Sequence, residues 1–139
     1  MFQKIMVPVD LAHAARMERA TATAADLAKL YGAAVVYVGV TTSAPSAIAH
    51  TPQEYAGKLK SFAADQAARH GHSATSHAMV SHDPSIDLDE TLMRGIDETG
   101  ADLVVMASHI PNVTDHFWPS NGGRIASHAK SSVFIVRMA

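Results

Sequence analysis

KIMVPVD at residues 4–10 and ADLVVMASH at residues 101–109 are the two stretches that decide the fold. Each is a short apolar run that stops at small or polar residues. In an open parallel sheet, ligands bind just beyond the carboxyl ends of the strands, where the strand order reverses. The residues at these two ends, Asp10 and Ala107 to His109, are therefore the first candidates for a site.

Between these ends the sequence alternates between strand and helix patterns. Further strand-length segments lie at residues 33–41, 74–80 and 133–137. The segments between strands carry apolar residues three or four positions apart, which predicts helices. The pair Asp83-Pro84 predicts a helix start, with the carboxylate as N-cap. In the first helix the buried face is expected to comprise Met17, Ala20, Ala24, Leu27 and Tyr31.

This βαβαβαβαβ order indicates an α/β fold with a doubly wound parallel sheet, because parallel neighbours need crossover connections. The third strand, with weak alternation, is expected at an edge. Strand order does not follow from the alternation alone. A Rossmann-type order, 3-2-1-4-5, would place strands one and four side by side and bring Asp10 and Ala107 to His109 into one crevice.

The length of 139 residues is the usual size of a domain with one core, which predicts a single domain over residues 1–139. The formal net charge of -2 offers no basic surface for nucleic acid. The first ten residues hold one cation and a short apolar run, which predicts neither a signal peptide nor a membrane span, so a cytoplasmic protein is expected. The sequence has no cysteine, which excludes a thiolate nucleophile and disulfides.

KIMVPVD at the start, with ADLVVMASH and SNGGRIASHAKSSVFIVR at the end, resembles the universal stress protein family along nearly the whole chain. In members that bind ATP, the acid closing the first strand contacts adenine, and G-x-x-G, nine residues and G-[ST] hold ribose and phosphates. Here Ala107 and Ile110 stand where the first two glycines are expected, and Pro119 stands near the third. One subgroup carries ASH-x-P and G-S-N at these places, which gives Ser120 and Asn121 family precedent.

The resemblance implies the order 3-2-1-4-5 and, as ligand, ATP or a related adenine nucleotide, with or without Mg²⁺. A helix N-terminus after Ser120 would suit an anion, since its amides point outward. The binding residues that the resemblance implies are Pro8, Val9, Asp10, Val40, Ala107, Ser108, His109, Ser120, Asn121 and Gly122. Glycines 122 and 123 disfavour a first helical turn, so either close packing or close ligand approach is expected there.

Three candidate chemistries have simpler alternatives. Asp10 either accepts a hydrogen bond from an adenine amino group or caps the helix beginning near His13. Ser108 and His109 do not form a convincing triad with Asp10, because adjacent residues point oppositely and G-x-S-x-G is absent. Four histidines, which lack a metal-binding spacing, are expected to be solvent-exposed, with no metal site: His70, His72, His77 and His82.

Two functions fit the sequence. The first is a stress-response sensor or regulator that binds ATP, ADP or AMP between strands one and four, with at most slow ATP hydrolysis, because the parts for phosphoryl transfer are missing. The second is a dimeric interaction module without nucleotide, in which the phosphate loop is lost and a protein partner is bound. In both, the resemblance implies a homodimer formed through the strand Val133 to Arg137.

Overall fold

The computed structural model describes residues 1–108 and 122–137. The strands along them are β1 (Lys4–Pro8), β2 (Ala34–Thr41), β3 (Ala74–Val80), β4 (Leu103–Ala107) and β5 (Ser132–Val136). The helices are α1 (Glu18–Tyr31), α2 (Pro52–His70), α3 (Pro84–Thr99) and α4 (Gly122–His128), and a 3₁₀ segment, Leu11–Met17, follows β1. Among those helices, none combines the length and the hydropathy that crossing a bilayer requires.

The five strands form one parallel sheet in the order β3-β2-β1-β4-β5. This confirms the α/β fold and the strand order that were expected. β1 lies at the centre, with Ile5 opposite Val35 of β2 on one side and Leu103 of β4 on the other. β3 is an edge strand, as its weak alternation predicted, and β5 is the other edge.

Helices cover both faces of the sheet, so the core has two layers. Successive residues of a strand point to opposite faces. Ile5, Val7 and Tyr37 pack with buried residues of α1 and α2, whereas Met6 and Val38 pack with α3 and α4. Because both faces are buried, the central strands are apolar along nearly their whole length, apart from Lys4 and Thr41 at strand ends, instead of alternating with polar residues.

The segment after β1 differs most from the expectation. An α-helix from near His13 was expected, but a 3₁₀ segment runs to Met17, with a non-helical backbone at His13, and the α-helix begins at Glu18. Its buried face is formed by Ala20, Thr21, Ala24, Ala25 and Ala28. Tyr31 is 37% exposed, so its predicted place on the buried face is wrong. The small buried residues let α1 lie close to the sheet, which leaves little room for a large side chain beneath it.

Asp102 joins the beginnings of β1 and β4. Its carboxylate accepts hydrogen bonds from Gln3 N at 2.9 Å and Lys4 N at 3.1 Å, and its own N–H donates to Lys4 O at 3.0 Å. Burial alone raises the pKa of Asp102, but the hydrogen bonds from Gln3 and Lys4 outweigh it, so the pKa lies below the ordinary 3.8. The ionised carboxylate therefore stabilises this end of the central strand.

Replacing Asp102 by Ala should lower the free energy of unfolding by about 1.5 kcal/mol at pH 7, since hydrogen bonds to a charged acceptor are lost. Because the folded pKa is depressed, the contribution is complete above the ordinary pKa of 3.8 and is lost as pH falls through the folded value. Urea unfolding from pH 7 to pH 3 measures this difference. Asp97→Ala, at an exposed site on α3, is the control. A pH-independent difference would contradict this account.

Candidate functional site

The candidate site lies at the carboxyl end of β1, which stops earlier along the sheet than its neighbour β2. Lys4 O faces β4, because it accepts from Asp102 N. The backbone N–H and C=O groups of the even-numbered residues in β1 therefore point toward β4. Pro8 is one of them and has no N–H to donate. In β1, Ile5 and Met6 pair with β4. On the other side, Pro8 pairs with Val38 of β2, and β2 continues for three more residues. The ladder between β1 and β4 thus stops at Met6, whereas on the other side Val9 N still donates to Val38 O.

A pocket of 170 Å³ lies beyond the ends of β1 and β2. Its lining is mostly apolar and has a single charged side chain, Asp10. The full lining is Asp10, Leu11, Ala12, Val40, Thr41, Ser46, Ala47, Ile48 and Tyr55. Sites for drug-sized ligands measure roughly 300–1,000 Å³. This pocket therefore fits one ring system better than a whole nucleotide.

Asp10 supplies the charge of the pocket and also caps the 3₁₀ segment. Its Oδ1 accepts from Ala12 N at 3.1 Å, and its Oδ2 lies 2.8 Å from His13 Nδ1. The side chain is 6% exposed. The capping role is confirmed, although the capped segment begins at Leu11 and not near His13. A carboxylate has about four acceptor positions, so capping does not exclude a further hydrogen bond to a ligand.

Val40 presents backbone polar groups to the same pocket. Val9 N donates to Val38 O at 2.8 Å, so the amide groups of Val38 face β1. Residues two apart in a strand face the same neighbour, so the N–H and C=O of Val40 point in that direction too. β1 has ended by this point. One donor and one acceptor therefore face the space beyond β1, next to the Asp10 carboxylate.

The outer wall of the pocket is a turn after β2. Ser46 N donates to Ala49 O at 2.8 Å, and Ser46 Oγ accepts from the N–H groups of Ile48 and Ala49 at 3.3 and 3.2 Å. Lys58 of α2 donates from Nζ to Ile48 O. These hydrogen bonds hold the turn against α2, so the wall is built into the fold.

α2 starts beside this turn with a capping box. Thr51 Oγ1 accepts from Glu54 N at 3.0 Å, and Glu54 Oε2 accepts from His50 N at 3.1 Å. The hydrogen bond from His50 lowers the pKa of Glu54. The spacing Thr-x-x-Glu is a sequence signal for such a start. This signal marks where α2 begins, but it does not place residues 46–50 at the pocket.

Tyr55 closes the inner side of the pocket by lying on Gly39. The Tyr55 side chain is 5% exposed. A Cβ on Gly39 would lie 3.0 Å from Tyr55 Cε1 and closer still to the hydroxyl oxygen. Only glycine leaves room at this position of β2. Tyr55 was not among the residues expected at the site, because its contact with Gly39 depends on a β2–α2 approach that the sequence does not reveal.

The remaining expected binding residues are divided between the structure and the segment outside it. Pro8 and Val9 belong to the end of β1 but do not line the pocket, and Ala107 is buried at the end of β4. Ser108 donates its N–H to Val136 O at 2.8 Å. A Cβ on Gly122 would lie 3.2 Å from Ile135 Cδ1, which favours close packing as the reason for this glycine. His109, Ser120 and Asn121 lie outside the described residues.

The histidines differ from expectation. His70, His72 and His77 are partly buried, so their predicted exposure is wrong. His77 Nε2 lies 3.0 Å from Glu98 Oε1, and His82 is exposed. Within residues 1–108 and 122–137, no three His, Asp or Glu side chains are grouped to hold a metal ion.

Comparison with known proteins gives a family and a fold. The model of the family described as "Universal stress protein family" matches residues 1–137. A comparison with curated proteins finds no significant match. The family match covers all three sequence stretches that carry the resemblance, and it includes the residues that line the pocket.

Solved structures share the fold over nearly the whole chain. A universal stress protein in complex with cAMP matches with a TM-score of 0.71 and 20% identity, covering 99% of this chain and 98% of that one. A universal stress protein from Archaeoglobus fulgidus in complex with dAMP matches with a TM-score of 0.63 and 22% identity, covering 96% of each. A family protein from Burkholderia pseudomallei gives 0.67 and 22%, covering 96% and 95%. These likenesses show the fold.

Replacing Gly39 by Ala should lower the free energy of unfolding by about 1–3 kcal/mol, because the added methyl group forces Tyr55 from its place. The matched control is Gly57→Ala in α2, where a Cβ meets no atom within 4 Å. That change should raise stability by about 0.5–1 kcal/mol, since alanine favours a helix. Urea unfolding of both variants measures the two effects. Equal effects at the two sites would contradict the packing of Tyr55 on Gly39.

Proposed function

We propose that this chain, which belongs to the universal stress protein family, binds an adenine nucleotide and acts as a stress-response sensor or regulator. The base would lie in the pocket beyond β1 and β2, and the ribose and phosphates would extend toward the end of β4. The observation that carries this proposal is that the Val40 backbone and the Asp10 carboxylate both line one apolar pocket that is the size of a ring system.

The chemistry of this pocket suits adenine. The amino group of adenine donates hydrogen bonds and the neighbouring ring nitrogen accepts one. The C=O and N–H of Val40 match that donor and acceptor, and the second amino hydrogen can be directed at Asp10. The apolar contacts with Leu11, Ile48 and Tyr55 cover the flat faces of a ring. A base with a carbonyl at the amino position would bring an acceptor against the Val40 carbonyl and the Asp10 carboxylate, so guanine should bind less well.

The solved structures of similar fold add support, because two are complexes with cAMP and dAMP. Both ligands carry adenine on a sugar phosphate. The pocket volume of 170 Å³ is consistent with holding the base while the remainder of the ligand lies outside it. Adenine recognition, more than the number of phosphates, therefore defines the ligand class that we propose.

The phosphate end of the ligand is proposed to lie near Ser108 and the segment leading into α4. The sequence expectation assigned it to His109, Ser120, Asn121 and Gly122, with or without Mg²⁺. Such contacts would favour a sensor that distinguishes ATP, ADP and AMP. Slow hydrolysis at most is proposed, since the sequence has neither a Walker A loop nor an evident group to position an attacking water.

One observation favours the second function, a dimeric interaction module without nucleotide. Gly122 fits closely against Ile135, so packing is sufficient to explain this glycine without a phosphate nearby. Calorimetry with ATP, ADP, AMP and GTP separates the two functions. Saturable binding of the adenine nucleotides supports the sensor, and no binding at millimolar nucleotide to folded protein supports the interaction module.

Replacing Asp10 by Ala should weaken binding of AMP at least tenfold, because a charge-assisted hydrogen bond is lost. The same change removes a cap and should lower the free energy of unfolding by about 1 kcal/mol. Asp10→Asn keeps an oxygen for the cap and separates the two effects. Calorimetry on folded protein gives the dissociation constants. The control is Asp26→Ala, at a site that is 79% exposed on α1. Equal affinity of wild type and Asp10→Ala would remove the role in adenine binding.

The homodimer through β5 is also a proposal. β5 is an edge of the sheet, and its side chains Phe134 and Ile135 are 45% and 36% exposed. An unprotected edge strand tends to pair with another strand. A two-fold axis beside β5 would cover both side chains with their copies, as an isologous interface requires.

Replacing Phe134 by Lys should turn the dimer into a monomer, because a charge would be buried at the interface. Sedimentation of the protein at micromolar concentration measures the mass. Ile86→Lys, at a position in α3 that is 82% exposed, should leave the dimer intact, since α3 packs mainly on β2. A monomeric wild type would overturn the proposed interface.

A further inference from the structure

A polar cluster lies within the apolar layer under α2, at the opposite end of this helix from the pocket. Tyr37 of β2 is fully buried, and its hydroxyl lies 3.0 Å from His72 Nε2. Gln66, 4% exposed, and His70 belong to the last two turns of α2. The rings of His70 and His72 have centroids 6.1 Å apart. Along the helix axis, Gln66 lies roughly 17 Å from Tyr55 of the pocket.

The Tyr37 hydroxyl determines which nitrogen of His72 carries the proton. Burial raises the pKa of Tyr37 well above its ordinary value, so the hydroxyl keeps its hydrogen. His72 Nε2 is the acceptor within reach. If Tyr37 donates to it, the neutral ring must carry its proton on Nδ1. This tautomer is inferred from the hydrogen-bond network.

Three buried polar atoms of the cluster lack a hydrogen-bond partner among the described residues. They are Gln66 Oε1, His70 Nε2 and His72 Nδ1. A buried polar atom without a partner costs free energy comparable to a lost hydrogen bond. The end of α2 is therefore held by packing together with the hydrogen bond between Tyr37 and His72. Part of this packing is the edge-to-face contact of Tyr37 with Phe62, whose centroids are 5.3 Å apart.

The charges around His72 oppose a second proton on its ring. Burial is the largest cause that lowers the pKa of His72, followed by His70 on α2 and Lys29 on α1. The carboxylate near Lys29 belongs to Asp26, at 4.0 Å and 79% exposed, where solvent screens it. The negative end of α2 favours a nearby cation only within the last turn of the helix, and His72 lies beyond it, after the left-handed Gly71.

We propose that His72, packed between Tyr37 and His70, is an acid-sensitive latch that holds the C-terminal end of α2 on the sheet while its ring is neutral. A second proton would add to Nε2 and break the hydrogen bond that Tyr37 donates. The resulting cation would lie beside Lys29 and a buried hydroxyl with no acceptor. Acid therefore loosens the end of α2.

A metal ion is a poorer explanation of the same atoms. Binding a metal through His72 Nδ1 would move the ring proton to Nε2, and the Tyr37 hydroxyl hydrogen would then lose its acceptor. The two imidazoles are not joined by a third His, Asp or Glu within the described part of the chain. Lys29 adds an unfavourable positive charge.

The direction of the pH effect follows from linkage. His72 has a folded pKa below the ordinary 6.5, so between these two values the unfolded chain binds a proton that the folded protein does not. The stability of the fold therefore decreases as pH falls below 6.5. Each such proton changes the unfolding equilibrium constant up to tenfold per pH unit.

The first test is NMR of the wild-type histidine rings between pH 8 and pH 5. The proposal expects His72 to be protonated on Nδ1 at pH 8 and to titrate with a midpoint below 6.5. A proton on Nε2 at pH 8, or a midpoint at or above 6.5, would overturn it. This measurement needs no variant and no nucleotide, so it stands apart from the proposed function.

The second test is urea unfolding of His72→Gln, in which an amide can accept from Tyr37 but cannot titrate. The unfolding constant of the wild type should rise more steeply between pH 7 and pH 5 than that of the variant, by up to tenfold per pH unit. His77→Gln is the matched control, since His77 is a histidine of β3 that pairs with Glu98 at the surface. The unfolding constant of His77→Gln should rise between pH 7 and pH 5 at least as steeply as that of the wild type. Equal pH dependence of His72→Gln and wild type would contradict the latch.

Discussion

The early end of β1 is the constraint on which the site depends. β1 is the central strand, and Pro8 stands at the position whose N–H would face β4. Without that donor the pairing with β4 is confined to Ile5 and Met6, while β2 continues to Thr41 against β3. Val9 N makes one more hydrogen bond to β2, and at Asp10 the chain leaves the sheet for the 3₁₀ segment. The crevice beyond β1 is thus the consequence of a strand that ends early.

Two local features turn this opening into a shaped pocket. Asp10 caps the 3₁₀ segment, which keeps its carboxylate at the pocket instead of in solvent. Gly39 lets the ring of Tyr55 approach the backbone of β2 and close the inner side. Each feature serves the fold and the site together, because the same atoms fill the core and line the pocket. The fold therefore already uses Asp10 as a cap, and the proposed ligand contact would use the same carboxylate.

The fold was predictable from the sequence, but the site only in part. Strand and helix periods, with the family resemblance, predicted the strand order. The end of the first strand predicted Asp10, and the resemblance implied Val40. The contribution of Tyr55 and of the turn at residues 46–48 was missed, since it depends on how α2 approaches β2. The burial of His70 and His72 was missed for a similar reason. A histidine at a helix end is usually solvated, but here the His72 ring lies within hydrogen-bond distance of Tyr37, which belongs to a different element.

α2 is the element that the two unusual regions share. Its first turns, capped by Thr51, carry Tyr55 at the pocket, and its last turns carry Gln66 and His70 in the polar cluster. The first end is fixed by a capping box and by the hydrogen bond from Lys58 to the turn, whereas the last end has buried polar atoms that lack partners. Local opening begins where favourable contacts are fewest. The helix should therefore loosen from its C-terminal end, and the pocket wall should be the last part of it to move.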